Sequence, residues 1–221
     1  MLSGPSVVDG PGNAGKGIRR PKGDIIMKDL VEIRWIGRGG QGAVTAAKIF
    51  AESAMAEGKF IQAFPEYGPE RMGAPVKSFT RISSKPIYRH CQVVTPDVSV
   101  VLDPTLLGIV DVAEGLGKEG IIIINTKDNA GEFADKLSVK HVKVYTVDAS
   151  GICLKTLGRN IPNMAMTAAT AKASGLISLE ALIRTVREEF GHKFKDEIIK
   201  ANIDAMRMAY EETKSETAAV A

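Results

Sequence analysis

Cysteine is scarce in this chain of 221 residues, which holds two, Cys91 and Cys153, far apart. That count excludes a four-thiolate iron–sulfur cluster and an all-cysteine zinc site. Both thiols read as small buried hydrophobes in a reducing, cytoplasmic setting. Histidine is nearly as rare. His90, His141 and His192 are dispersed, with no H-x-x-H or H-E-x-x-H spacing, so zinc catalysis has no ligand set and the expected metal-site list is empty. Long apolar runs are missing too. The longest, Ile121 to Ile124, falls far short of the ~20 residues a membrane helix needs. The first residues carry no apolar stretch of the secretory kind. Finally, the body lacks excess charge of either sign. Lys16, Arg19, Arg20, Lys22 and Lys28 outnumber Asp9 and Asp24 by the chain's whole net charge of +3. A balanced body offers no basic field for nucleic acid.

What remains is ordinary for a globular protein: 44% hydrophobic and 25% charged residues. Residues 1–28 are rich in Gly, Pro and Ser and predict a flexible N-terminal extension, with Met27 a candidate start of translation. Residues 29–214 predict a single α/β domain, and 215–221 a C-terminal tail. The pattern predicts strand 31–36, helix 42–57, strand 59–64 and a polar loop 65–74. Two β runs, 75–82 and 86–94, follow around a Ser83-Ser84-Lys85 turn as a hairpin. Then come strand 98–102, a helix over 105–114, and strands 120–124 and 142–147. From Asp148 the chain predicts helix only. Ser178 suits an N-cap and Gly191 a C-cap, around a stripe of Leu179, Leu182, Ile183, Val186 and Phe190. The expected fold is three-layer α/β/α, with a mostly parallel but mixed sheet, a β-hairpin insertion and a helical C-terminal part.

The run Gly37-Arg38-Gly39-Gly40-Gln41-Gly42 carries the most chemistry. An apolar strand precedes it and a small-residue helix follows. That order places backbone N–H groups and the positive end of a helix dipole where an anion can sit. Arg38 adds a permanent cation. Two readings stay open: a phosphate-binding turn, and a tight strand-to-helix connection and nothing more. The spacing also satisfies G-x-G-x-x-G, which raises a stand-alone nicotinamide-dependent dehydrogenase. Glu66, past a proline, would then be its ribose acid. Asn163 opens a helix after Pro162 and reads as an N-cap or a binding residue. Asp97 and Asp103 flank a short strand and suit turn or cap hydrogen bonds, and strand ends near a glycine turn can also line a site. The proline-stiffened loop 65–75 displays Tyr67, Glu70 and Arg71 as a contact surface.

At these segments the chain resembles a known family. Val31 through Ala43, with the glycine run inside it, resembles the opening of the gamma subunit of 2-oxoacid:ferredoxin oxidoreductases. Phe64 to Pro75 is similar to that family's Tyr-Gly-Pro-Glu loop, with Arg71-Met72-Gly73 where Arg-Gly-Gly is usual. Pro96-Asp97-Val98, Leu102-Asp103-Pro104 and the stretch from Asn163-Met164 to Leu182 fall in the family's order. The resemblance spans about residues 29–190 and is nearest in flavour to the pyruvate-oxidising members.

It implies a non-catalytic subunit of an enzyme that converts pyruvate, coenzyme A and oxidised ferredoxin to acetyl-CoA, carbon dioxide and reduced ferredoxin. Alpha, beta and delta chains are the implied partners, with ferredoxin met indirectly and neither membrane nor nucleic acid involved. Thiamine diphosphate and magnesium are implied between alpha and beta, iron–sulfur clusters on beta and delta. This chain is expected to hold no catalytic residue and to be inactive alone. Its implied role is structural at the alpha/beta interface. Gly37, Arg38, Gly39, Gly40, Gln41, Gly42 and Asn163 are the expected coenzyme A contacts. Tyr67, Glu70 and Arg71 are the expected partner interface.

Overall fold

The computed structural model describes residues 28–66, 73–137 and 142–217. A seven-stranded sheet forms its centre, in the order β2-β3-β1-β4-β5-β6-β7. The strands are β1 (Leu30–Arg38), β2 (Phe60–Pro65), β3 (Pro75–Ser83), β4 (Val98–Val101), β5 (Ile121–Asn125), β6 (Lys143–Val147) and β7 (Lys214–Thr217). β1, β4, β5 and β6 run parallel, while β3 pairs antiparallel with both β1 and β2, and β7 with β6. β4 and β5 are buried throughout, as parallel strands covered on both faces must be.

One face carries α1 (Ala43–Ala56), α3 (Ala149–Leu157), α4 (Asn163–Ser174), α5 (Leu179–Gly191) and α6 (Asp196–Glu212) over the main core. The other face has a smaller core under α2 (Ala130–Lys136) and the irregular chain after β4, where Leu106 and Val112 are buried. The layers are therefore unequal. α1 lies close to the sheet because Ala43, Ala46, Ala47, Ala51 and Ala54 turn no bulk toward it; all five are buried. Trp35 Nε1–H donates to Thr80 Oγ1 at 3.0 Å, and that hydroxyl donates to Ala47 O at 2.9 Å, which ties β1, β3 and α1 together.

Four sequence expectations need correction. The hairpin is β2–β3, around the loop after Pro65, and residues 86–94 form no strand. Their carbonyls are taken by a side chain instead: Arg81 Nη1 donates to Arg89 O at 3.3 Å and Nη2 to Cys91 O at 2.7 Å. The helix expected over 105–114 shrinks to one 3₁₀ turn, Pro104–Leu106, and Gly108 at φ +90° stops its continuation. The C-terminal part is not all helix, since β7 carries the sheet to Thr217, past the expected boundary at 214. Helix α5 starts on Ser178, whose hydroxyl accepts Ala181 N–H at 3.2 Å, but Gly191 is its last residue and His192 its C-cap.

Candidate functional site

Parallel α/β sheets bind ligands where neighbouring connections leave the carboxyl ends of two strands on opposite faces. Here that place lies between β1 and β4. The chain leaves β1 into α1, on the main-core face, and leaves β4 into the turn whose Leu106 is buried on the other face. Residues 37–42 and 103–105 form the two lips of the crevice.

Two helix N-termini converge on it. Gly42, the N-cap of α1, has φ +80°, offers no side-chain cap, and no acid stands in the first turn. Pro162, the N-cap of α4, likewise gives no side-chain cap, and α4 has no acid in its first turn. Asn163 is therefore the first residue of α4 and not the cap the sequence suggested. Its Oδ1 accepts the next residue's N–H, Met164, at 2.8 Å. Its amide nitrogen lies against Gly42, in the space a Cβ there would need. Two positive helix ends so placed repel each other and draw anions, each contributing up to about half a unit charge.

The donors divide clearly. Arg38 N–H goes to Gln41 Oε1 at 2.7 Å, Gly39 N–H to Ala74 O at 3.2 Å and Gln41 N–H to Arg38 O at 3.0 Å. The first bond of α1 is Ala46 N–H to Gly42 O at 2.9 Å, so the amides of Ala43, Val44 and Thr45 precede the ladder. Among the described residues those amides, with Gly40 and Gly42, have no acceptor; Gly40 at φ +94° turns its peptide in a way other residues resist.

Arg38 comes to the site partly engaged. Its Nε donates to Asp103 Oδ2 at 3.2 Å, Nη1 to Gly73 O at 2.9 Å and Nη2 to Thr105 Oγ1 at 2.9 Å. The guanidinium has five N–H groups, and two of them have no partner among the described residues. Asp103 also accepts from Gln41 Nε2 at 2.7 Å and from Thr105 N–H and O–H at 2.9 and 2.7 Å. Burial pushes this carboxyl's pKa up. The bonds from Thr105 and Gln41 and the Arg38 charge outweigh that and hold it below the ordinary aspartate value.

The structure brings Asn163 against Gly42, at the end of the glycine turn. Tyr67, Glu70 and Arg71 lie outside the described residues. Thr105 escaped the sequence reading, although the Asp103-Pro104-Thr105 run marks a capped turn beside the strand end. Asp103 caps the turn and, with Gln41, Arg38 and Thr105 on its carboxylate, is also the hub of the crevice. Asp97 accepts Glu32 N–H at 2.9 Å and serves the strand start. Elsewhere, a charged cleft of about 630 Å³ between α3 and α6, lined by Lys155, Glu197, Lys200 and Arg207, has no connection to the turn. Among the described residues no group of three His, Cys, Asp or Glu can hold a metal. Nor is any described helix long and apolar enough to cross a membrane.

The dinucleotide alternative meets a geometric obstacle. A nicotinamide fold sets its second strand parallel and next to its first. Here antiparallel β3 separates β2 from β1, so Glu66 closes an edge strand two places away.

Fold and turn together define a mixed α/β domain with a glycine turn at the switch point of its sheet. The family model for pyruvate ferredoxin/flavodoxin oxidoreductase matches residues 32–212. The "Pyruvate/ketoisovalerate oxidoreductases common subunit gamma" of Pyrococcus furiosus is 49% identical over 185 residues, 84% of this chain and 98% of the relative. The "Pyruvate synthase subunit PorC" of Methanothermobacter marburgensis is 48% identical over the same length and the same shares of each chain. The crystal structure of the pyruvate oxidoreductase subunit PORC from Thermotoga maritima superposes with a TM-score of 0.75 at 42% identity, covering 85% of this chain and 99% of that one. The chain belongs to the pyruvate ferredoxin/flavodoxin oxidoreductase family, as the gamma-type subunit of a multi-subunit 2-oxoacid:ferredoxin oxidoreductase. Its relatives support that reading and not a stand-alone dehydrogenase.

Proposed function

We propose that this subunit serves a pyruvate-oxidising, coenzyme A-acylating enzyme of the cytoplasm, and that its glycine turn receives a phosphate of coenzyme A. Pyruvate is the 2-oxoacid common to the names of the Pyrococcus, Methanothermobacter and Thermotoga relatives. The partners are alpha, beta and delta chains, with ferredoxin as the electron acceptor. Thiamine diphosphate with magnesium and the iron–sulfur clusters belong to those partners. This chain's two well-separated thiols, one of them fully buried, suit no cluster. Alone it is inactive.

The observation that carries the coenzyme A contact is the meeting of two uncapped, acid-free helix N-termini at Gly42 and Asn163. In this reaction coenzyme A is the substrate rich in phosphate, and phosphate is what such a junction favours. The Gly40, Gly42 and α1 amides would receive it, with Asn163 Nδ2 and the two spare N–H groups of Arg38 beside them. The loop carrying Tyr67, Glu70 and Arg71 would dock on the neighbouring chains.

Anaerobic affinity purification of this chain from its own cells tests the assembly. Recovery of alpha, beta and delta chains, with pyruvate- and coenzyme A-dependent reduction of a low-potential acceptor, supports it; recovery of the chain alone, binding a nicotinamide nucleotide, refutes it. Arg38→Ala in the intact complex tests the turn. A raised KM for coenzyme A with an unchanged KM for pyruvate supports contact, whereas lost assembly without a KM effect makes the turn architectural.

A further inference from the structure

We infer that Asp103 is a positioning residue for phosphate recognition: acting through Gln41 and Arg38, it fixes the glycine turn so that the free amides face the ligand. The inference rests on the reading of that turn as the coenzyme A contact.

One carboxylate joins both lips of the crevice. Oδ1 takes the N–H and O–H of Thr105, on the turn after β4; Oδ2 takes Gln41 Nε2 and Arg38 Nε, on the turn after β1. The polarity of this arrangement is forced. Gln41 Oε1 is committed to Arg38 N–H at 2.7 Å, so its other end must be the NH₂ and must find an acceptor. Asp103 Oδ2 is that acceptor, at 2.7 Å. Thr105 Oγ1 gives its one proton to Asp103 and so meets Arg38 as an acceptor.

The consequence for the turn is direct. Gln41 lies folded over the strand end, where a Cβ on Gly37 would meet its Oε1 at 3.3 Å. In that position it absorbs Arg38 N–H and holds the peptides of Gly39 to Gly42 in one arrangement. Were Gln41 released, the Arg38 amide would compete for any anion and the Gly40 and Gly42 peptides, both at positive φ, would lose their reference. Arg38 ends β1 and Asp103 caps the turn after β4, so the network lies at the carboxyl ends of two neighbouring strands, where it shapes the crevice.

The test is a polarity exchange in the assembled enzyme. Asp103→Asn places an NH₂ or a weaker acceptor against the Gln41 NH₂ and Arg38. Adding Gln41→Glu restores the bond between positions 41 and 103 with the charge unchanged: the amide at 103 now donates, and the carboxylate at 41 accepts both that bond and the Arg38 N–H, while the Arg38 Nε bond to Oδ2 stays lost because an NH₂ stands where that acceptor was. Two quantities are read on each complex: the KM values for coenzyme A and pyruvate, and hydrogen exchange of the peptide spanning 37–46. Asp103→Asn is expected to raise KM for coenzyme A by about tenfold or more, as for loss of a bond to a charged group. KM for pyruvate stays put, exchange in the turn quickens, and the double variant reverses both changes in part, by the share that runs through Gln41.

Unchanged exchange and unchanged KM in an intact complex overturn the inference. So does a single variant that disassembles or loses kcat and both KM values together, if the double variant fails to restore it. If exchange quickens and is rescued while KM for coenzyme A never moves, the coenzyme A reading falls and Asp103 is architecture only. If Arg38→Ala raises that KM and Asp103→Asn does not, the coenzyme A reading stands and the inference fails alone.

Discussion

Asn163 Nδ2 occupies the space that a side chain on Gly42 would fill. The contact locks the entry of α1 to the entry of α4, and it makes Gly42 glycine for two reasons at once. The residue sits at φ +80°, and a Cβ there would meet the Asn163 amide closer than real side chains approach. Gly42→Ala is therefore expected to destabilise the chain by more than the ~1–2 kcal/mol that a left-handed conformation costs by itself. Adding Asn163→Ala should recover the steric share and leave the conformational share, giving a coupling of about 0.5–3 kcal/mol. A double-mutant cycle by denaturant unfolding measures it. Additive single effects would show that the two helix ends do not meet as described.

Glu32 and Arg81 form a buried ion pair between β1 and β3. Arg81 Nε donates to Glu32 Oε1 at 2.7 Å, with side chains 1% and 9% exposed. The same guanidinium stacks over Phe64 at 5.2 Å and holds the carbonyls of Arg89 and Cys91. Glu32→Ala strands a buried charge and should cost about 3–5 kcal/mol. It should also loosen residues 86–92, read as faster hydrogen exchange there than in β5. A loss under ~1 kcal/mol, the range of surface pairs, would mean that water reaches Arg81.

Much of this fold is legible in the sequence. The strands β1, β4, β5 and β6 are apolar runs of the right length, α1 is a small-residue helix after a glycine turn, and Ser178 announces α5. Three features were not legible, each because a non-local partner decided it. Residues 86–94 alternate like a strand, yet a side chain 1% exposed supplies their hydrogen bonds in place of a neighbour's backbone. β7 is four polar-leaning residues with no pattern, and only the free edge of β6 makes it a strand. Asp103 reads locally as a cap for Thr105, which it is; its hold on Gln41 and Arg38 spans more than sixty positions. The glycine turn was visible as a candidate because strand, turn and helix are adjacent in sequence. The second helix end at Asn163 arrives from another part of the chain.

Thiol chemistry should separate the two cysteines. Cys153 is fully buried in the main core, its Sγ donates to Ile161 O at 3.3 Å, and burial pushes its pKa up to about 12. The thiolate is the reactive form, so at pH 8 Cys153 is protected twice over. Cys91 is exposed. Iodoacetamide should modify Cys91 in the purified native chain and reach Cys153 only on unfolding, as read by peptide mass spectrometry. Equal labelling of both under native conditions would contradict the packing of α3 against the Ile161 segment.

The acid limb of stability should report Asp103. Its folded-state pKa lies below the ordinary aspartate value of ~3.9. A depressed carboxyl contributes stability that is complete above its unfolded pKa and is lost as pH falls through its folded one. Melting temperatures of the chain should therefore drop on acidification below about pH 4. In Asp103→Asn that drop should be shallower, starting from a lower plateau at pH 7. Asp29 and Glu189 are also depressed, by Lys85 and Lys48 respectively, but both are solvent-exposed partners present in either protein, so they cancel in the difference. If the wild-type and variant curves run parallel from pH 7 to pH 3, Asp103 is as readily protonated in the folded chain as in the unfolded one. Its bonds to Gln41, Arg38 and Thr105 would then not be holding the crevice together.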